Sequence, residues 1–203
     1  MILAFDTSTA ACTAALFDAD GACVGERSEV IGRGHSERLV PMLKELLEGR
    51  TAERILTGVG PGSFTGIRVG VAAAHGLAIG WNASLGGLSS LALIAAGADG
   101  TGDVAVAVRG GHGELFVQAF DTDTLDASTP LFNLAPEAAA GAVSAHLVVG
   151  SGAADLVAAR GWGEARDAWP EARHALRLPV GLRDLPAKPL YARAPDAKAR
   201  EAA

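Results

Sequence analysis

The amino-acid sequence predicts an α/β protein made of two units. Its 203 residues, 49% of them hydrophobic, can bury the core of one large domain or of two small ones. Along the first half, apolar strand patterns alternate with helical patterns in the order strand, strand, strand, helix, strand, helix. Strands begin again after the small, polar stretch 97–102. The predicted domains are therefore 1–100 and 101–203.

Three strands open the first unit, at residues 2–6, 12–17 and 22–28. The second and third flank Asp18-Ala19-Asp20-Gly21, which is a typical hairpin turn. The next segment has apolar residues at helical spacing, and Ser36 is its predicted N-cap. The first unit is thus predicted to begin with a β-hairpin and to continue with a helix.

The second unit is predicted from weaker signals. Strands are expected at 104–108 and 114–120, on either side of a glycine-rich turn, and a short strand at 147–149 precedes a helix at 153–160. The alanine-rich stretch 136–145 is ambiguous. Because a strand hairpin followed by helices occurs in both halves, the sequence suggests that the two halves have a similar topology.

The stretch 58–78 organises the rest of the chain. A strand enters the turn Gly60-Pro61-Gly62-Ser63, and a helix leaves it. Small residues recur along that helix at every fourth position: Gly62, Gly66, Gly70, Ala74 and Ala78. Glycine inside a helix costs about 1 kcal/mol relative to alanine. We therefore expect another helix or a phosphate to approach this side closely.

The phosphate alternative lacks the usual sequence signatures. A P-loop requires a lysine, and none follows Gly62 or Gly66; the dinucleotide fingerprint fails because Ser63 stands where its third glycine belongs. A glycine turn at a helix N-terminus remains a natural anion site, with Ser63 and Thr65 as further donors. The four-residue spacing continues well beyond the first turn, which favours close helix–helix packing.

The polar turn Asp6-Thr7-Ser8-Thr9, after the first strand, is a second candidate site. A carboxylate followed by hydroxyl groups could hold a metal-bound nucleotide phosphate. The structural alternative is an Asx turn, in which Asp6 accepts a hydrogen bond from its own backbone. The residue types alone favour the structural alternative.

No catalytic or metal-binding constellation is recognisable. The five histidines form no H-x-x-x-H pair, neither cysteine has a histidine nearby in sequence, and Ser63 lacks the G-x-S-x-G context of a hydrolase. His35 is expected at a helix start. Cys12 and Cys23 lie on opposite arms of the predicted hairpin, beyond disulfide reach, and are expected to be small core thiols.

Charge and hydrophobicity limit the function classes. A net charge of −6 argues against binding nucleic acid without a basic partner. No apolar run reaches the roughly 18–20 residues of a membrane span, and the first residues do not resemble a signal peptide. The expected location is the cytoplasm, with no membrane contact.

Several segments together resemble a known family. MILAFDTST, HSERLVPML, GVGPGSFTGIRVGVAAAHGLA, GLSSL and PLYAR follow one another in the order found in the bacterial TsaB (YeaZ) proteins, over nearly the whole chain. The run GPGSFTGIR is far more specific than a generic glycine loop. The chain therefore resembles the TsaB (YeaZ) family.

This resemblance implies a fold and a function. The fold is of the actin/Hsp70/sugar-kinase (ASKHA) type, with two α/β domains on central mixed sheets and a reduced second domain. The function is threonylcarbamoyl modification of the adenosine next to the anticodon in tRNAs that read ANN codons. Family members resemble non-catalytic scaffold or activator subunits that dimerise with a catalytic TsaD-type subunit, and a small TsaE-type ATPase joins them.

The resemblance also implies where the partner binds, namely the helix near Ser36 and the helix from Thr65 to Ala78. The expected interface residues are Ser36, Leu39, Val40, Leu43, Gly62, Ser63, Thr65, Gly66, Arg68, Val69, Gly70, Ala73 and Ala74. No catalytic residue, metal or cofactor of its own is expected, and ATP or ADP would bind in the complex, with at most weak nucleotide binding at Asp6, Thr7, Ser8 and Thr9. tRNA would be reached only through the complex, and the free chain is expected to form a homodimer.

Three positions depart from the family pattern. Arg109 stands where relatives often have an acid, which puts carboxylate-dependent nucleotide chemistry between the domains in doubt. Ser8 replaces a glycine that lets backbone approach a phosphate, and Ala192 replaces a common leucine.

The alternative function is an independent small-molecule kinase or ATPase of the same fold, because fold does not fix function. A peptidase has no support in the motifs.

Overall fold

The computed structural model describes residues 1–100 and 102–191 and contains two α/β units, each with a mixed five-stranded sheet. In the first sheet the spatial order is β3-β2-β1-β4-β5, with β1 (Ile2–Asp6), β2 (Ala11–Phe17), β3 (Cys23–Val30), β4 (Arg54–Gly60) and β5 (Ser84–Ser89). In the second sheet the order is β10-β9-β6-β7-β8, with β6 (Asp103–Arg109), β7 (Leu115–Asp121), β8 (Phe132–Leu134), β9 (Leu147–Val149) and β10 (Glu164–Arg166).

The two sheets share one topology. β1 pairs antiparallel with β2 and parallel with β4, and β6 pairs antiparallel with β7 and parallel with β9. The outer strands complete the correspondence, because β3 and β8 are antiparallel to their neighbours whereas β5 and β10 are parallel to theirs. The similar topology of the two halves that the sequence suggests is therefore present, and the second sheet has the shorter outer strands.

The helices separate the two sheets and cover their outer faces. They are α1 (His35–Leu47), α2 (Phe64–Trp81), α3 (Ser90–Ala95), α4 (Pro136–Ala139), α5 (Ala153–Arg160) and α6 (Val180–Arg183), with 3-10 turns at Gly111–Gly113 and Ala172–Arg177. α1 packs on the outer face of the first sheet beside α2. α3 lies in the core between the sheets, and α4 and α5 cover the outer face of the second sheet.

Two sequence expectations are corrected here, and two strands were not predicted. Ser36 is not the N-cap of α1, because the helix begins at His35 after Gly34, whose backbone is left-handed with φ 88°. Cys23 is exposed rather than part of the core; a bulge at Leu16 and Phe17 places it opposite Phe17, and Cys12 alone is buried. The strands β8 and β10 were not expected, because Phe132–Leu134 and Glu164–Arg166 lack the continuous apolar run that predicts the equally short β9.

The described residues after β10 return to the first unit. The backbone N–H of Ala172 donates to Thr13 Oγ1 over 3.0 Å, so the second 3-10 turn is tied to β2. Residues 185–191 then run beside β5 and α2. Ala192 and Arg193, the last two residues of the late motif, lie outside the described residues. Within the described ranges, no helix has the length and apolar character needed to cross a membrane.

The small-residue side of α2 faces the interior of the protein. A Cβ atom at Gly62 or at Gly66 would collide with the backbone carbonyl of Ser8 or of Thr7, respectively, and one at Gly70 would lie 2.6 Å from Thr7 Oγ1. The close neighbour is thus the turn between β1 and β2, and neither a partner helix nor a phosphate. These glycines allow the chain to pack on itself.

The substitution Gly66→Ala should destabilise the fold, because the new methyl group would collide with the carbonyl of Thr7. Overpacking of this kind costs about 1–3 kcal/mol. The matched control is Gly76→Ala in the same helix, where nothing lies within 4 Å of the added Cβ. There the higher helix propensity of alanine should stabilise the fold by up to about 1 kcal/mol. Urea unfolding of both variants measures the difference, and equal effects would contradict the packing of α2 described here.

Candidate functional site

The start of α2 is fixed by the turn that follows β1. The backbone N–H of Ser63 donates to the carbonyl of Ser8 over 2.6 Å, and Ser63 Oγ caps the helix by accepting from the N–H of Gly66 over 3.2 Å. Thr7 Oγ1 donates to the carbonyl of Gly66 over 2.7 Å. The first turn of α2 is therefore attached to the β1–β2 turn by both backbone and side-chain hydrogen bonds.

Asp6 lies at the centre of a buried polar network and is fully buried. Its Oδ1 accepts from the backbone N–H and the hydroxyl of Ser8, at 2.6 and 2.7 Å, and its Oδ2 accepts from Ser90 Oγ at 2.6 Å. Ser90 Oγ in turn accepts from the N–H of Gly60 over 3.2 Å. Gly58 has no side chain, and a Cβ atom there would collide with the Asp6 carboxylate. The network joins β1, β4 and α3.

This arrangement matches the structural alternative for the Asp6–Thr9 turn. The hydrogen bond from Ser8 N–H to Asp6 Oδ1 is an Asx turn. Thr7 bonds to α2, and Thr9 Oγ1 accepts from the N–H of Ala11 over 3.2 Å. Ser8 and Thr9 border the cleft described next, whereas the carboxylate of Asp6 is enclosed. Weak nucleotide binding at these residues stays a prediction.

A cleft of about 960 Å³ lies between the two units. Its walls are the β1–β2 turn, the start of α2, the turn after β6, and the end of the described chain. Aromatic side chains and two arginines contribute to its lining, namely Phe64, Arg68, Arg109, Phe116, Trp169 and Tyr191. The volume is within the usual range of small-molecule sites.

Three residues at the mouth of this cleft form a cluster that we call the clasp: Phe64, Arg68 and Tyr191. The guanidinium Cζ of Arg68 lies 3.4 Å from the centroid of the Phe64 ring, and Arg68 Nε donates to Tyr191 Oη over 3.0 Å. The two ring centroids are 5.7 Å apart. The clasp joins the GPGSFTGIR run to the late PLYAR motif, which are far apart in sequence.

Arg109, the residue that departs from the family pattern, pairs with an acid of its own unit. Its Nε and Nη2 donate to the two carboxylate oxygens of Asp155, over 2.6 and 3.1 Å. This pairing raises the pKa of Arg109 and lowers the pKa of Asp155. A second cavity, of about 540 Å³, lies beside the pair. Across the described residues, no three His, Cys, Asp or Glu side chains are grouped so that they could hold a metal ion.

The structure divides the expected interface residues into three groups. Leu39, Leu43, Gly66, Gly70 and Ala74 are buried within the first unit. Gly62, Val69 and Ala73 are half-buried. The exposed members are Ser36, Val40, Ser63, Thr65 and Arg68.

Sequence reasoning missed the residues that form the exposed side of α2. These are Ala72, Gly76, Ile79 and Gly80, of which Ile79 is 83% exposed. Space is open around Gly76 and Gly80, because nothing lies within 4 Å of a Cβ built on either. Val40 of α1, 63% exposed, is on the neighbouring helix. The signal in the sequence is a second four-residue spacing, Ala72-Gly76-Gly80, beside the one that includes Gly66 and Gly70.

The substitution Ser90→Ala should destabilise the protein most at neutral pH. It leaves Asp6 Oδ2 and the N–H of Gly60 without a buried partner, which should lower the free energy of unfolding by roughly 2–6 kcal/mol, at about 1–3 kcal/mol for each group. Burial raises the pKa of Asp6 above 3.8, although its bonds to Ser90 and Ser8 oppose the rise. Loss of Ser90 Oγ therefore raises this pKa further.

The sign of the pH dependence follows from proton binding. Between 3.8 and the raised pKa, the folded chain holds a proton on Asp6 that the unfolded chain has released, so the contribution of Asp6 to stability decreases as the pH rises. The difference in free energy of unfolding between variant and wild type, measured with urea, should be larger at neutral pH than at about pH 4. Ser36→Ala, at an exposed helix position, is the control and should change stability by less than about 0.5 kcal/mol. A loss independent of pH would contradict a role for ionised Asp6.

Comparisons with known proteins agree with this fold. The family model of "TsaD: tRNA N6-adenosine threonylcarbamoyltransferase" matches residues 26–140. An uncharacterised protein of Mycobacterium tuberculosis is 32% identical over 97% of this chain and 93% of its own length. Two solved Pseudomonas aeruginosa structures are similar over nearly the whole chain. One, of an uncharacterised protein with similarity to peptidase YEAZ, has a TM-score of 0.80 at 29% identity, and the match covers 95% of this chain and 99% of that one. The other, of YeaZ, has a TM-score of 0.75 at 28% identity, and the match covers 94% of this chain and 98% of that one.

A relative with a functional name matches over a shorter range. The Escherichia coli "tRNA threonylcarbamoyladenosine biosynthesis protein TsaB" is 38% identical over 60% of this chain. The match spans 55% of that protein, and 41% of the Haemophilus influenzae TsaB. The family match, the full-length relative and the shared architecture confirm the expected fold class of two α/β domains. The chain belongs to the TsaB (YeaZ) family, and the TsaD-type family model matches more than half of it.

Proposed function

We propose that this protein acts in threonylcarbamoyl modification of tRNA, as a non-catalytic scaffold subunit that dimerises with a TsaD-type catalytic subunit. The proposal is supported by the biosynthesis role that the name of the E. coli relative states and by the TsaD-type family match. In this proposal tRNA is bound only through the complex, and a TsaE-type ATPase joins the larger assembly.

The observation that carries the proposal is the open face of α2, which we call the docking face: Thr65, Ala72, Gly76, Ile79 and Gly80. Its centre is almost bare backbone, because Ala72, Gly76 and Gly80 follow one another at four-residue spacing and nothing packs near either glycine. Glycine in an exposed helix interior costs about 1 kcal/mol relative to alanine. A partner helix that lies close to the backbone would offset this cost by packing.

The neighbours of the docking face suit a helical partner. Ile79 and Val40 are large apolar side chains that are mostly exposed in the free chain. α1 contacts α2, so these side chains belong to one helical layer. An apolar patch with a bare centre favours association through helix packing. A homodimer of the free chain through the same face is part of the proposal, since the patch is exposed without its partner.

The geometry gives the independent kinase alternative no comparable observation. A kinase of this fold would need an accessible acid beside its phosphates, whereas Asp6 is enclosed and bonded to Ser8 and Ser90. Arg109 is paired with Asp155. Calorimetry with Mg–ATP is the test that separates the two functions: tight binding that is lost in Asp6→Ala would favour the kinase and count against a scaffold without its own cofactor.

The substitution Gly76→Leu should prevent docking and leave the fold intact. The new side chain enters open space, so the free chain keeps its stability, but it would hold a partner helix away from the α2 backbone. We expect the dissociation constant with the TsaD-type subunit to rise roughly 10- to 100-fold, equivalent to about 1–3 kcal/mol of overpacking. Calorimetric titration measures this, and mass spectrometry of tRNA from cells that depend on the variant should show less threonylcarbamoyladenosine.

The matched control is Ala159→Leu, which places the same leucine side chain at an exposed position of α5 in the second unit. It should bind the partner like the wild type. If Gly76→Leu also binds like the wild type, the docking face is assigned to the wrong surface. If cells depleted of their own protein regain no modified tRNA when this chain is expressed, the proposed role itself is wrong.

A further inference from the structure

Residues 185–191, which we call the strap, run back along the first unit. Leu185 exchanges two backbone hydrogen bonds with Gly87 of β5, at 2.6 and 3.0 Å. Further along, the N–H of Leu190 donates to the carbonyl of Val59 in β4 over 2.8 Å. Gly87 permits this approach, because a Cβ atom there would lie 3.1 Å from the Leu185 carbonyl oxygen. The strap is thus bound to the sheet near both of its ends.

The strap also contacts α2 at three levels. The Leu185 side chain packs against the apolar cluster that includes Val71. Nε2 of His75 lies 3.0 Å from the carbonyl oxygen of Ala187. At the first turn of the helix, Tyr191 closes the clasp by accepting the hydrogen bond from Arg68. The strap therefore follows α2 over about three turns, from His75 back to Phe64.

The angular positions on α2 show what the strap borders. Successive residues of an α-helix are rotated by about 100°, so Arg68 and His75 lie on one flank, towards the strap. Val69, Ala73 and Leu77 lie on the other flank and pack partly against the core that contains α1. Ala72 and Gly76 point between the two flanks. The docking face is therefore a strip with α1 on one side and the strap on the other.

We propose that the strap is a positioning element for partner docking, and that the clasp transmits its effect. Arg68 is held between the Phe64 ring and the Tyr191 hydroxyl, which fixes the first turns of α2 relative to the sheet. A partner helix packed against Ala72 and Gly76 meets a backbone already held in place. This inference rests on the docking role proposed above. It assigns a role in docking to the late PLYAR motif, through Tyr191.

A double-mutant cycle tests the clasp as a unit. Tyr191→Phe removes the acceptor and keeps the ring, and Arg68→Ala removes the donor. Each single variant should weaken binding of the TsaD-type subunit roughly two- to ten-fold, in the range of one hydrogen bond. The double variant should bind about as weakly as the weaker single variant, because the two residues act through one contact. Losses that add fully would overturn the proposal, since they would mean independent contacts with the partner.

Hydrogen exchange in the free chain distinguishes local positioning of α2 from a general contribution to stability. In Tyr191→Phe, amides in the first two turns of α2 should exchange faster, whereas amides of the last two turns and of the second sheet should not change. Uniformly faster exchange would show global destabilisation and overturn a positioning role. Arg166→Ala, which removes an exposed arginine paired with Glu164 in β10, is the control and should change neither measurement.

Gly76→Leu separates the failure of this inference from the failure of the proposed function. If Gly76→Leu weakens partner binding as expected and the clasp variants bind like the wild type, the strap has no part in docking and only this inference fails. If neither kind of variant affects binding, the docking face and the strap are both wrongly assigned.

Discussion

The contact between the β1–β2 turn and the glycines of α2 determines how the first unit presents its surface. Ser63 and Gly66 are bonded to Ser8 and Thr7, and the missing Cβ atoms of Gly62 and Gly66 allow two backbones to meet. Once this contact is made, the helix can rotate no further about its axis. It leaves Ala72, Gly76 and Gly80 in solvent and turns Arg68 towards the cleft. The exposed face is thus a result of an internal packing constraint.

The second unit repeats this construction with a different outcome. The turn after β9 also packs on the inner strand: the N–H of Gly152 donates to the carbonyl of Ala107 over 2.9 Å, and a Cβ atom at Gly150 would collide with that same oxygen. The helix that follows, α5, spans Ala153–Arg160 and is much shorter than α2. At the first turn of α5, Asp155 pairs with Arg109. The first unit has the enclosed network of Asp6 in the corresponding region. The shared topology therefore supports a long exposed helix in one unit alone.

Much of the fold could be predicted from the sequence, because its signals are local. The hairpin turn, the apolar strand at Ile55 and the long helix after Ser63 each follow from residue types and spacing. What failed was the direction in which α2 faces. Two sets of small residues with the same spacing run along this helix, and nearly all its residues are small or apolar. Spacing alone cannot say which set meets Thr7 and which meets solvent, since that depends on a turn some 60 residues earlier in the chain.

The candidate site was predictable in part for the same reason. The Asx turn at Asp6 is a local feature, and the residue types favoured it. The network through Ser90 and the pairing of Phe64 and Arg68 with Tyr191 join residues far apart in the chain, so no local pattern shows them. The family resemblance implied Leu39 and Leu43 as interface residues, yet the apolar side of α1 faces the sheet.

The strap also has a consequence for solubility. β5 is an edge strand, and unpaired backbone groups on an edge invite strands of other molecules. The pair of bonds between Gly87 and Leu185 occupies that edge at its centre. The opposite edge, β3, instead has the charged side chains of Glu26, Arg27 and Glu29. One edge of the sheet is thus shielded by charge and the other by the chain's own C-terminal segment. A chain cut before Leu185 would therefore expose an edge open to intermolecular β-pairing and aggregation.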